Sequence, residues 1–373
     1  MPRTEVEIAI VGAGAAGLAA AATLDRRGHE ATVLEADGYI GARWASRYER
    51  LRLHTVRRYS GLPFRGLQRG LPKYVSKDDY AGYLADYAEA LGLDVRLGQR
   101  VERVEPLEHQ WRLRTSRGEL RAKAVVVATG RQNGRSLPAW PGLESFRGGI
   151  VHSGEYASGR EYAGLRALVV GIGNSGAEIA TDLVEHGAAS VAVAVRTSPP
   201  IAKRDILGVP VQLLGILLMP FPAKPVDRLG AVVRRLGTGD LRPYGLRRPE
   251  WGPFEARRPP LIDVGFLETL KRGGIRIRPD LSRMTPEGVI FADGSEEPFD
   301  LLVAATGFAT GLEELFDLAG VLDERGLPRA REDGSTIHPG LYFVGFRESP
   351  RGALFEVNRD SRRLADSVSR YLA

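Results

Sequence analysis

Two glycine runs hold the residues of this chain best suited to chemistry. Gly12-Ala13-Gly14-Ala15-Ala16-Gly17 and Gly171-Ile172-Gly173-Asn174-Ser175-Gly176 share one spacing. In such a run the first glycine permits a tight turn and the second admits a diphosphate to the backbone. The third lets a helix close on a strand. Unpaired N–H groups at the helix N-terminus then hold phosphate oxygens. Each run predicts a dinucleotide cradle, and the residue closing the next strand tells the two apart. Glu35 closes the first unit and suits the free hydroxyls of an unphosphorylated ribose, as in FAD or NAD. Arg196, with Thr197 beside it, closes the second. A guanidinium pairs with a 2′-phosphate that a carboxylate would repel, so the second cradle predicts NADPH.

Other reactive arrangements are missing. The chain has no cysteine, which excludes disulfides, thiolate metal sites and a redox dithiol. No Ser–His–Asp or paired-carboxylate arrangement stands out, and no metal site is expected. His54 is a tentative catalytic candidate near a cofactor ring, with ordinary packing as its alternative. His152 is expected to organise a domain junction. Lys203 and Arg204 suit a cofactor phosphate or a substrate carboxylate, or form a solvated pair. Gly41-Ala42-Arg43-Trp44 follows the first unit. It would put Arg43 on a pyrophosphate and Trp44 near a ring system, core packing being the alternative for Trp44. Ala128-Thr129-Gly130 and Ala305-Thr306-Gly307 end two apolar strands and would bring bare backbone close to cofactor.

These groups need elements to position them. Residues 6–11 read as a buried parallel strand, followed by a helix to about 27, a stop at Gly28 and a strand at 31–34. The order recurs as strand 165–170, a helix to about 185, a stop at Gly187 and strand 190–195. Between them, 80–91 has helical spacing, while 95–104, 111–115 and 119–124 alternate as strands do. Residues 124–130 and 301–307 are further strands. Segment 199–260, rich in Pro and Gly, reads as an irregular insertion. Residues 361–372 form a helix with Leu364, Val368 and Leu372 facing a core.

An N-terminal unit, an Ala-Thr-Gly end ahead of the second run and a closing strand near the C-terminus favour FAD in the first cradle. The expected fold is α/β, two Rossmann-like domains with the NADPH domain inserted into the FAD domain. The expected limits are 1–155 and 291–373 for FAD and 156–290 for NADPH. At 373 residues, 43% hydrophobic and 26% charged, two or three globular domains fit. The net charge of +6 comes from scattered Arg and Lys. That argues against nucleic acid and for an anionic cofactor or substrate. The apolar start, 1–22, carries Glu5 and Glu7 and the first glycine run, so it reads as strand and helix and the protein as cytoplasmic. Segment 209–221 is broken by Pro210, Gly215 and Pro220 and is too short to span a bilayer.

Phe146-Arg147-Gly148-Gly149-Ile150-Val151-His152-Ser153-Gly154-Glu155-Tyr156 resembles the F-x-G-x-x-x-H-x-x-x-(W/F/Y) signature of class B flavin monooxygenases. Over nearly its whole length the chain is most similar to the YUCCA-type enzymes. The likeness is carried by 48–54, 173–178, 245–249, Gly252-Pro253, 262–265, 305–308 and 340–346, the last adding Gly345 as a cofactor-binding candidate. The resemblance implies FAD, NADPH, O2 and a small-molecule substrate. It implies reduction of flavin by NADPH, addition of oxygen at C4a and transfer of one oxygen atom by the hydroperoxyflavin. YUCCA-type members convert indole-3-pyruvate to indole-3-acetate. Other class B enzymes oxidise nitrogen, sulfur or ketones. The Asn-bearing loop of nitrogen- and sulfur-oxidising members has no match, and His54-Thr55-Val56-Arg57-Arg58 lies near its place. Rival readings are an NADPH oxidase releasing peroxide and a non-enzymatic redox-sensing flavoprotein. A disulfide reductase is excluded for want of cysteine.

Overall fold

The computed structural model describes residues 4–373; the first three residues of the expected 1–155 and 1–22 segments lie outside the described residues. The apolar strand Glu5–Val11 runs at the centre of a seven-stranded sheet. Ala31–Leu34 and then Asp94–Arg96 lie to one side of it, all parallel. Gly118–Val127 lies to the other side and divides its far edge. Its first half pairs antiparallel with Trp111–Thr115 and its last residues pair parallel with Leu341–Phe343. Val101–Pro106 completes the sheet.

Alanine-rich Ala15–Asp25 packs on one face with the C-terminal helix Ala353–Leu372. Ile8, Ile10, Leu18, Tyr80 and Leu364 are buried together there. Leu113, Val125, Phe316 and Phe343 fill the opposite face. Helix Lys77–Ala90 starts at Ser76, whose Oγ accepts the Asp79 N–H at 3.1 Å, and Asp78 and Asp79 add negative charge to its first turn.

The second sheet has five parallel strands in the order Ile275–Arg278, Ser190–Ala194, Arg166–Val170, Leu301–Ala304, Gly149–His152. Helix Asn174–Glu185 covers one face. Sheet membership corrects the expected limits. Gly149–His152 lies before 156 and Leu301–Ala304 after 290, yet both hydrogen-bond into this sheet. The strand ladder, which the local sequence cannot report, draws them in.

Other expectations change in detail. The 95–104 segment splits into two strands that lie at opposite edges of the sheet, with Gly98 at φ +63° between them. Segments 119–124 and 124–130 form one strand ending at Val127, with Ala128-Thr129-Gly130 beyond it. The C-terminal helix begins at Ala353, eight residues early, and buries Leu364 and Val368, with Leu372 partly covered. Segment 199–260 is not irregular throughout, because it holds helices Val211–Leu218 and Ala223–Thr238. Pro210 and Pro222 stand at their N-caps, where proline starts a helix instead of breaking it.

Candidate functional site

Both glycine runs lie between a strand and a helix. Gly12 has φ +104°, and a Cβ there would meet the Ala128 carbonyl oxygen at 3.0 Å. A Cβ on Gly17 would fall on the carbonyl oxygen of Gly12. The second cradle repeats this build. Gly171 has φ +102°, its Cβ would stand 2.6 Å from the Ala305 carbonyl oxygen, and a Cβ on Gly176 would fall on Gly171. Each run thus rests on an Ala-Thr-Gly strand end. Gly14 and Gly173 differ from the rest, since a Cβ on either meets nothing within 4 Å. They are the N-caps of Ala15–Asp25 and Asn174–Glu185, and no side chain caps either helix. First-turn N–H groups without a partner, in front of open space, fit an anionic diphosphate. The Thr129 hydroxyl, buried beside the first cradle, has no hydrogen-bond partner. On these observations the residues present fit two dinucleotides.

Around the first cradle, Glu35 accepts the Ala13 N–H at 2.7 Å and the Asp37 N–H at 2.9 Å, which fixes its carboxylate beside the glycine turn. Ala15 and Ala16 form the first helical turn, and a Cβ on Gly345 would meet the Ala16 Cβ at 2.6 Å, so the chain returns to this cradle at its closing strand. Arg43 is exposed and pairs with Asp37 at 3.1 Å. Trp44 meets Tyr80 edge-on at 4.8 Å and packs on the first core. Gly130 has φ +76° with open space where a side chain would be.

Around the second cradle, Arg196 and Thr197 are exposed past the end of Ser190–Ala194. Arg196 has no ion pair or hydrogen bond among the described residues, so its guanidinium is free for a ligand. Asn174 Oδ1 accepts the Ile262 N–H at 2.8 Å, tying the helix start to the neighbouring strand Leu261–Asp263. The Thr306 hydroxyl donates to the Ser136 carbonyl. Lys203 is exposed, and Arg204 lies 3.9 Å over the ring of Tyr74.

His152 is buried where these strands end. Its Nδ1 accepts the Gly154 N–H at 3.1 Å and its Nε2–H donates to the Gly307 carbonyl at 2.9 Å. Its ring stands edge-on to Phe308 at 4.9 Å. These contacts join the ends of two neighbouring strands of the second sheet, Gly149–His152 and Leu301–Ala304. Burial holds its pKa below 6.5, opposed by the Gly307 hydrogen bond. Folding therefore favours the neutral ring. The stabilisation is whole above pH 6.5 and is lost as pH falls through the depressed value. The melting temperature is expected to fall below pH 6.5, and His152→Gln, which donates without titrating, to lessen that fall. An unchanged pH profile in the variant would remove His152 from the account.

His54 is not free. Its Nε2 lies 2.6 Å from Glu178 Oε1, on the helix of the second cradle, and its Nδ1 is buried without a partner. Neighbours join it: the side chains of Tyr48 and Ser175 are hydrogen-bonded, and Arg50 reaches Glu185 at 2.6 Å and the Val264 carbonyl at 3.2 Å. Segment 48–54 of the first unit thus grips one helix of the second. The sequence reading missed Tyr48, Arg50 and Glu178. A buried acid such as Glu178 requires a partner, and that requirement was the available signal.

Two Rossmann-type cradles, joined through one helix, define a two-dinucleotide oxidoreductase. Residues 9–206 match the pyridine nucleotide-disulphide oxidoreductase family. The chain is 39% identical over 356 residues to the indole-3-pyruvate monooxygenase YUCCA1 of Oryza sativa subsp. japonica, covering 92% of this chain and 87% of that protein. It is 34% identical over 370 residues to the probable indole-3-pyruvate monooxygenase YUCCA1 of Arabidopsis thaliana, covering 96% and 88%. The chain belongs to the YUCCA-type flavin monooxygenases. A variant of the flavin monooxygenase from Stenotrophomonas maltophilia superposes with a TM-score of 0.79 over 100% of both chains at 25% identity. Open cyclohexanone monooxygenase superposes at 0.75 over 98% of this chain and 88% of that one, at 20% identity, a likeness of fold. The protein is an oxidoreductase, and the family's cofactors, FAD and NADPH, are those its two cradles fit. Among the described residues no helix is long and apolar enough to cross a membrane.

Proposed function

We propose that this chain uses NADPH and O2 to decarboxylate an aryl 2-oxo acid oxidatively, with indole-3-pyruvate as the first candidate. One 2-oxo acid, one O2, one NADPH and one proton would give the acid shorter by one carbon, CO2, NADP+ and water. The observation that carries the two-cofactor part is the contrast between the cradles, Glu35 tied into one and Arg196 free at the other. The names of the relatives support the substrate.

In this reading Gly12, Gly14, Ala15, Ala16 and Gly17 hold the FAD diphosphate, and Glu35 the adenosine ribose. Arg43, Trp44, Ala128, Thr129, Gly130 and Gly345 border the same cofactor. Gly171, Gly173, Asn174, Ser175 and Gly176 hold the NADPH diphosphate, with Arg196 and Thr197 on its 2′-phosphate. Ala305, Thr306 and Gly307 offer backbone between the two. Bound FAD supplies the hydride acceptor and the carbon at which dioxygen reacts. The protein's part is to bind, orient and exclude water. His54, held by Glu178, acts here as a positioning residue. A cytoplasmic location belongs to the same reading.

The test is a panel of aryl 2-oxo acids given to the FAD-loaded enzyme with NADPH under air. Close to one CO2 per NADPH is expected from indole-3-pyruvate or a near relative. No CO2 from any acid would end the substrate assignment, and NADPH consumption matched by hydrogen peroxide would favour an oxidase.

A further inference from the structure

Helix Ala223–Thr238 is built inside out. A surface helix normally turns its apolar stripe toward the core and its polar face to water. Here Leu229, Val232, Val233 and Leu236 recur at i, i+3, i+4 and i+7, one stripe, and all four are exposed. Leu236 keeps 82% of its surface in solvent, Leu229 63% and Val232 56%. The side toward the protein is polar. Asp227 is buried and accepts the Phe254 and Glu255 N–H groups at 3.1 and 2.8 Å, and Thr238 is buried on the same side. That side packs against strand Ile201–Lys203. Leu217, near the end of helix Val211–Leu218, and Phe221, in the bend after it, are also exposed. Contiguous apolar surface of this kind marks an interaction site.

Charge chooses the occupant. Between 201 and 260 there are eleven Lys or Arg against five Asp or Glu, an excess equal to the net charge of +6 of the whole chain. Arg228 and Arg235 are exposed along one flank of the stripe, and Lys224 is exposed one turn earlier. Of the acids, Asp227 is used inside the fold and Asp240 is paired with Arg242. A second copy of the chain would set these guanidiniums against their counterparts, whereas anionic lipid neutralises them. An apolar stripe flanked by cations on an otherwise soluble domain matches a helix lying in the plane of a membrane surface.

We infer that helix Ala223–Thr238, with Leu217 and Phe221 just ahead of it, docks this enzyme on an anionic membrane surface. The stripe enters the level of the lipid headgroups while Arg228, Arg235 and Lys224 meet lipid phosphates and carboxylates. The rest of the segment links this face to the first domain. Gln212 accepts the Val56 N–H at 2.8 Å and donates to the Arg351 carbonyl at 2.9 Å, just before the C-terminal helix.

The test is co-sedimentation of the FAD-loaded enzyme with phosphatidylcholine vesicles with and without phosphatidylserine. Binding is expected only with phosphatidylserine, weakened by salt. Arg228→Ala with Arg235→Ala should weaken it about 30-fold, at roughly 1 kcal/mol per cation. Leu229→Gln with Leu236→Gln should weaken it roughly tenfold or more, since the buried apolar area drives such binding. Both variants should keep their FAD content and their NADPH oxidation rate, which shows them folded. Absence of vesicle binding by the wild-type enzyme would overturn the inference. So would a concentration-dependent dimer, seen by sedimentation velocity, that the Leu229→Gln and Leu236→Gln pair dissolves, because the stripe would then be an interface between copies.

Discussion

Gly14→Ala is expected to give a folded, colourless protein, and Gly17→Ala a poorly folded one. The two glycines are three residues apart in one turn, yet their surroundings are opposite. A Cβ at Gly14 touches no protein atom, so the apoprotein should melt at the wild-type temperature. The space it fills is the one a diphosphate must enter to reach the first-turn N–H groups. Losing one or two charge-assisted hydrogen bonds there costs about 3 kcal/mol, or roughly 100-fold in FAD affinity. A Cβ at Gly17 collides with the Gly12 carbonyl, fixed backbone that cannot turn aside. Helix and strand must part, at about 3 kcal/mol. Calorimetry of apoprotein with FAD titration separates the two. Wild-type FAD affinity in folded Gly14→Ala would show that no phosphate lies in that turn.

Arg196→Ala should abolish discrimination between NADPH and NADH. The guanidinium is exposed and engages no other group, so its removal leaves the fold intact. A paired phosphate should be lost at roughly 2–3 kcal/mol, which lowers kcat/KM for NADPH about 30- to 150-fold. NADH, with no 2′-phosphate, should be used as before. Steady-state kinetics with both nucleotides decide the matter. A wild-type enzyme indifferent between them, or a variant that keeps its preference, would displace Arg196 from this role.

Much of this was readable from spacing alone, for a steric reason. Gly12, Gly17, Gly171 and Gly176 occupy places that backbone atoms of the fold itself forbid to a side chain, so the pattern survives in the sequence as bare glycine. Glu35 and Arg196 were readable because each follows a strand end at a countable distance. What escaped was non-local. That Gly149–His152 and Leu301–Ala304 join the second sheet depends on partners more than a hundred residues apart. The grip of 48–54 on the Asn174–Glu185 helix has no local signature, because Glu178 is one of three acids in that helix and only the fold shows which of them meets His54. The 199–260 segment misled for a different reason. Its prolines suggested an irregular insertion throughout, whereas two of them, Pro210 and Pro222, stand at helix starts, and the stripe on Ala223–Thr238, periodic enough to read, faces the wrong way for a core.

The rest of each glycine run on an Ala-Thr-Gly end has a consequence for ancestry and for engineering. Gly12 against Ala128, and Gly171 against Ala305, are one joint made twice, down to which carbonyl meets which glycine. The two halves are therefore interchangeable parts in their hinges and individual only in their tips. Cofactor choice can be rewritten at the free tip, position 196, without disturbing the joint beneath, whereas position 35 is tied into the glycine turn through the Ala13 N–H. A designer who enlarges Ala128 or Ala305 instead would jam the same mechanism in either half.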